Sequence, residues 1–165
     1  MLDTPHHDPR ALRNAFGLFA TGVTVITLRD AEGRPSGVTV NSFSSLSLEP
    51  ALCLFSLGVR QPSCALLTPG TPFTVNILAE GQDDIAWQFA RPAEDKFAGI
   101  QIAPGQHGVP GIAGALARFE CTVADRHRGG DHDIFIGQIN AFEAAPADAP
   151  GPMIFYRGKM ARLPA

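Results

Sequence analysis

Residues able to do chemistry concentrate in two stretches of the chain. The first is Gly37-Val38-Thr39-Val40-Asn41-Ser42-Phe43-Ser44-Ser45-Leu46-Ser47-Leu48-Glu49-Pro50, hydroxyl-rich and set between two apolar runs. Hydroxyls and backbone N–H groups therefore gather at the rim of a core. Such a rim suits a ligand with a flat polar edge and an anionic tail. An isoalloxazine ring takes donors at its carbonyl oxygens and N5, and a phosphate takes hydroxyls or Arg near a helix start. Arg60-Gln61-Pro62-Ser63 supplies such an end, with Ser63 at a helix N-terminus. The bland alternative is that the Ser-rich stretch is only a connector and Ser63 only an N-cap.

The second stretch holds His127, Asp131, His132 and Asp133 around a Gly-Gly turn. Its spacing matches no recognised ligand set, so no metal site is expected there. Other chemistries have no residues to carry them. The chain has no G-x-G-x-x-G, no G-x-x-x-x-G-K-[ST], no G-x-S-x-G and no H-E-x-x-H, so a Rossmann cradle, a Walker loop, a nucleophile elbow and a zincin helix are all missing. Cys53, Cys64 and Cys121 are odd in number and far apart, and they read as small core residues of a cytoplasmic protein.

Seventeen glycines and 14 prolines cut the rest into short apolar segments, the punctuation of a mainly β domain. One helix is expected from Asp8 to Ala20, with Asp8 as N-cap before Pro9. Thr21–Leu28 and Ser36–Val40 form a hairpin around Asp30–Gly33. The run Ala51–Leu57 is almost wholly apolar and is expected to be covered on both faces, near the barrel centre. Pro62–Leu67 and Gln82–Ala90 read as helices. Phe73–Leu78, Leu116–Ala124, Ile134–Phe142 and Met153–Tyr156 read as strands, with a loop over Pro104–Gly111. Six or seven strands with two or three helices suggest a closed or nearly closed antiparallel barrel.

At 165 residues the chain is one domain's worth, read as an N-terminal tail over 1–10 and a single domain over 11–165. A net charge of −3 without a basic block excludes a nucleic-acid binder. No run of about 18 apolar residues offers a membrane span.

Several segments in register then resemble the short-chain NAD(P)H:flavin oxidoreductases, the reductase components of two-component flavin monooxygenases. They are Phe19–Thr27, Gly37–Phe43, Ser45–Pro50, Asn76–Gln82, Asp95–Gly99, Ala115–Cys121, and Gly130-Asp131-His132 with Ile136-Gly137. The resemblance implies an antiparallel Greek-key split β-barrel of the FMN-binding type, with two or three flanking helices. It implies a homodimer in which hydride passes from NADH or NADPH to FMN or FAD, and a separate monooxygenase that receives the reduced flavin. It also assigns residues. Thr39, Val40, Asn41 and Ser42 would lie along the isoalloxazine edge. Ser45, Ser47, Leu48, Ser56, Arg60 and Ser63 would follow the ribityl chain and phosphate, and Phe97 would lie against the flavin. His132 would position the nicotinamide, with Tyr156 and Arg157 at the same mouth. The same barrel also suits a permanently bound FMN in an electron carrier or oxidase, or a non-catalytic flavin- or haem-binding module.

Overall fold

The computed structural model describes residues 7–163. Residues 1–6 of the expected tail and 164–165 of the expected domain lie outside them. Helix α1 (Pro9–Phe16) begins as its sequence directs: the Asp8 carboxylate accepts the Arg10 N–H at 3.0 Å, and Pro9 occupies the first turn. It is shorter than Asp8–Ala20 because beyond Gly17 the bonds tighten to turns, the Leu18 N–H to the Ala15 carbonyl and the Phe19 N–H to the Phe16 carbonyl, and the chain leaves the helix. It buries none of its side chains.

The expected first hairpin is present, with its leading strand interrupted at Val23 into β1 (Thr21–Gly22) and β2 (Thr24–Arg29). Strand β2 pairs antiparallel with β3 (Pro35–Val40), Ile26 opposite Val38. The Asp30 carboxylate holds the turn by accepting the N–H groups of Glu32 and Arg34. There follow β4 (Ser44–Leu48), β5 (Ala51–Gly58), α2 (Pro62–Leu66), β6 (Pro72–Ile77) and α3 (Asp83–Ala90). Short β7 (Ile102–Ala103) and β8 (Gly111–Ile112) bracket the expected Pro104–Gly111 loop. The long strands β9 (Ala117–Gly129) and β10 (His132–Ala144) extend past their expected ends, and β11 (Ile154–Tyr156) continues into an unexpected partner, β12 (Lys159–Ala161).

Seven strands form one antiparallel sheet in the order β3-β2-β6-β9-β10-β5-β4. Ile26, Val38, Phe55, Phe73, Val123 and Phe135, from six of those strands, share one core cluster. The sheet must curl around them, and it stays open between its end strands β3 and β4. The fold is mainly β with three helices, as expected. No helix among the described residues is long and apolar enough to cross a membrane.

Two expectations are corrected. Strand β5 is next to the sheet's end, and its burial alternates: Cys53, Phe55 and Leu57 are buried, while Leu52, Leu54 and Ser56 are half-buried. The strand covered on both faces is β2, whose residues Thr24 to Leu28 are all buried. Its threonines disguise this in the sequence. Thr24 donates to the Val40 carbonyl and Thr27 to the Pro110 carbonyl, so neither hydroxyl needs water. The outer cover is a second cluster of Val25, Leu78, Ala86, Phe89, Phe97 and Met153. Helix α3 reaches it by passing over Gly37, where a Cβ would stand 2.8 Å from the Ile26 carbonyl oxygen and 2.9 Å from the Phe89 ring. The three cysteines are free and buried, as expected.

Candidate functional site

Two clefts flank the start of β10. The first, of about 690 Å³, is lined by Arg34, Ser36, Gln61, Ser63, Arg91 and Lys96 among others. The second, of about 810 Å³, takes Arg13, Asn14 and Phe16 from α1, Asn41 from the end of β3, His132 from β10, and Phe155 and Arg157 from the β11–β12 hairpin. One lining residue of each comes close to Gly58: the point a Cβ there would occupy is 3.7 Å from His132 Nε2 and 3.9 Å from Gln61 Cγ.

His132 Nδ1 lies 2.7 Å from Asp131 Oδ1. That hydrogen bond holds the Asp131 carboxyl below its ordinary range. An ionised carboxylate only accepts, so Nδ1 carries the proton and, in the neutral ring, Nε2 is left as an acceptor.

Behind it the next residue, Asp133, is buried. It accepts from Arg126 Nε at 2.8 Å and Nη2 at 2.5 Å, with Arg128 Nε at 3.3 Å. Arg126 also donates to the Leu67 carbonyl and lies 5.2 Å from the Phe135 ring centroid. This cluster ties the β9–β10 hairpin carrying His132 to α2, one wall of the first cleft. The Arg126 hydrogen bonds hold the Asp133 carboxyl below its ordinary value of about 3.8. Its stabilising contribution is therefore complete above that value and is lost as pH falls through the lower, folded one. The Asp133→Asn variant is expected to be less stable than wild type at neutral pH but to lose less Tm on acidification below about pH 4. Parallel curves of Tm against pH would show that the pair carries none of the acid sensitivity.

The cations of the first cleft are largely engaged. Arg34 pairs with Asp30 and Glu32, and the Lys96 ammonium donates to the Phe89 and Arg91 carbonyls, capping α3. Among the described residues, no carboxylate lines the second cleft. Among the described residues, no group of three or more His, Cys, Asp or Glu is placed to hold a metal ion.

The model of the family described as "Flavin reductase like domain" matches residues 16–164. The chain belongs to that family. A Rhizobium meliloti protein named "Probable flavin reductase" is 48% identical over 82% of this chain and 44% of its own length, so the chain spans less than half of that relative. Reductase subunit HsaB of a flavin-dependent monooxygenase from Mycobacterium tuberculosis is 42% identical over 92% of this chain and 80% of its own. The solved structure of a Streptomyces globisporus NADH:FAD oxidoreductase, in complex with NAD and FAD fragments, matches with a TM-score of 0.88 at 37% identity, covering 98% of both chains.

Within this flavin reductase fold the candidate residues separate. Asn41, His132 and Arg157 line the second cleft, with Tyr156 exposed beside Arg157, whose guanidinium lies 5.3 Å from its ring centroid. Ser63 is buried in the wall of the first cleft; it is the second residue of α2, and the N-cap is Gln61, not Ser63. Arg60 is exposed in the turn before it. Other polar groups are committed within the protein. The Thr39 hydroxyl donates to the Ala86 carbonyl at 2.6 Å, and the Val40 side chain is in the core. The Ser42 hydroxyl both accepts the Ser56 N–H and donates to the Ser56 carbonyl, each at 3.0 Å. Phe97 packs edge-on against Phe89 with ring centroids 5.1 Å apart, in the second core cluster. Ser45, Ser47 and Leu48 lie on β4, an end strand, and line neither cleft.

Sequence reasoning missed Arg13, Asn14 and Phe155 in one cleft and Arg34, Arg91 and Lys96 in the other. The available signal was Arg13 and Asn14 just ahead of the Gly17 that ends α1. The donor set fits the ligands that family membership implies: Phe16, Phe155 and neighbouring apolar groups for flat rings, and guanidinium, amide and imidazole groups for phosphates and a carboxamide.

Proposed function

We propose that this chain is a flavin reductase that takes hydride from NADH or NADPH, reduces FMN or FAD, and releases the reduced flavin to a separate monooxygenase. The observation that carries this reading is His132, exposed on the second cleft with its Nδ1 fixed by Asp131 and its Nε2 available, in a member of the flavin reductase family. Nε2 accepts a hydrogen bond from the nicotinamide carboxamide and so aligns the dihydronicotinamide. Bound flavin supplies the hydride acceptor. Such a transfer needs alignment more than proton chemistry, consistent with the lack of a triad in the sequence. Ser63 and the first cleft take the flavin's phosphate end.

Steady oxidation of NADH or NADPH that depends on added free FMN or FAD is the expected result. Oxidation independent of added flavin would indicate permanently bound FMN, and none at all a binding module.

The active form is a homodimer. Leu48 on the end strand β4 is 91% exposed and Phe142 on β10 is 72% exposed, large apolar side chains that a second copy would cover. Sedimentation is expected to give twice the chain mass at micromolar concentration. A fully active monomer would refute the dimer and leave the flavin reading intact.

A further inference from the structure

We infer that Arg13 and Arg157 together bind the diphosphate of the nicotinamide dinucleotide, so that α1, which packs no side chain into the core, serves the second cleft as the carrier of a phosphate-binding arginine. The inference rests on the reductase reading above and adds to it where the hydride donor's charged middle is held.

Charge distribution is the first support. Arg34, Arg118, Arg126, Arg128 and Arg162 each have a carboxylate partner. Among the described residues Arg13 and Arg157, like Arg10, Arg29, Arg60 and Arg91, are in no such ion pair, and they are the two of these that share a cleft lined by no carboxylate. Two uncompensated guanidinium groups are a matched site for a diphosphate, since each presents planar paired donors.

Backbone geometry is the second support. Arg157 has φ +50° and is the only non-glycine residue with positive φ among those described; Gly158 follows at φ +76°. Two such residues in succession join β11 to β12 in the manner of a tight hairpin turn, whose first position favours Asn, Asp or Gly. An arginine here is strained, and its exposed side chain packs only over the Tyr156 ring. That stacking leaves the guanidinium edge free to donate.

Connection is the third. The Arg157 N–H donates to the Gly17 carbonyl at 2.8 Å, and the Gly17 N–H donates to the Arg13 carbonyl at 3.0 Å. One glycine thus couples the backbone of the hairpin to the last turn of α1, setting both arginines at the same cleft as His132.

The test uses FMN, which has no diphosphate, as acceptor. In Arg13→Gln and in Arg157→Asn, KM for NADH is expected to rise about tenfold, the loss of one charge-assisted contact, while KM for FMN stays within twofold. Calorimetric titration of NAD+ into FMN-saturated protein should show the same weakening without any turnover. Arg157→Asn should also raise Tm, by about 2–4 °C, because the turn is relieved. A merely structural arginine predicts a changed Tm with unchanged NADH KM and NAD+ affinity, and that result overturns the inference. A raised KM for FAD, with NADH and NAD+ unaffected, overturns it too by assigning the arginines to the flavin's own diphosphate. If wild type oxidises no NADH with any flavin, the reductase reading fails, and the NAD+ titration still decides whether the arginines bind a dinucleotide.

Discussion

Replacing His132 by Ala is expected to lower kcat/KM for the dinucleotide by about one to two orders of magnitude while leaving flavin affinity nearly unchanged. Misplacing donor and acceptor by about 1 Å costs on this scale, and Nε2 is the acceptor left available in the second cleft. Because His132 is exposed and its side-chain partner is the exposed Asp131, its loss should cost little stability, unlike that of the buried Asp133 beside it. Stopped-flow reduction of flavin-loaded variant by NADH, with the folded fraction checked separately, reads the step directly. An unchanged hydride-transfer rate would remove His132 from the site. The Asp131→Asn variant should fall between wild type and His132→Ala, since an amide can satisfy either ring tautomer and no longer commits the proton to Nδ1.

The strands and the His132 turn were legible because their signals are local. Alternating β-branched residues define β2 and β3, Asp8-Pro9 starts α1, and Gly130-Asp131-His132 opens β10. What could not be read depends on which distant element lies alongside. Thr24 and Thr27 look like the polar face of a half-buried strand until the Val40 and Pro110 carbonyls are placed next to them. Ser42 looks like a ligand hydroxyl until Ser56 is brought opposite. Arg13 and Arg157 stand at nearly opposite ends of the chain, and only the Gly17 contact brings them to one cleft. Phe97 fits both a flavin contact and a core residue by type, and its packing on Phe89 is decided by the path of α3 across Gly37.

The division of β5 into two unlike faces sets the largest stability effect. Phe55 is fully buried, stacked on Phe135 at 5.2 Å and edge-on to Phe73 at 5.4 Å, and so joins β5, β10 and β6 across the barrel interior. Phe55→Ala removes those contacts and leaves a cavity that three strands of one curled sheet cannot close, at a cost of about 3–5 kcal/mol. That is a large share of the roughly 5–15 kcal/mol typical of whole domains. Its neighbour Leu54 points the other way and is half-buried, so Leu54→Ala should cost clearly less. If the proposed dimer covers that outer face, its cost should instead shrink on dilution, because the contact between copies is then lost in wild type as well. Urea unfolding of both variants at two protein concentrations separates the cases. Equal losses at both positions, independent of concentration, would mean that β5 is covered on both faces within one chain, as its apolar sequence first suggests.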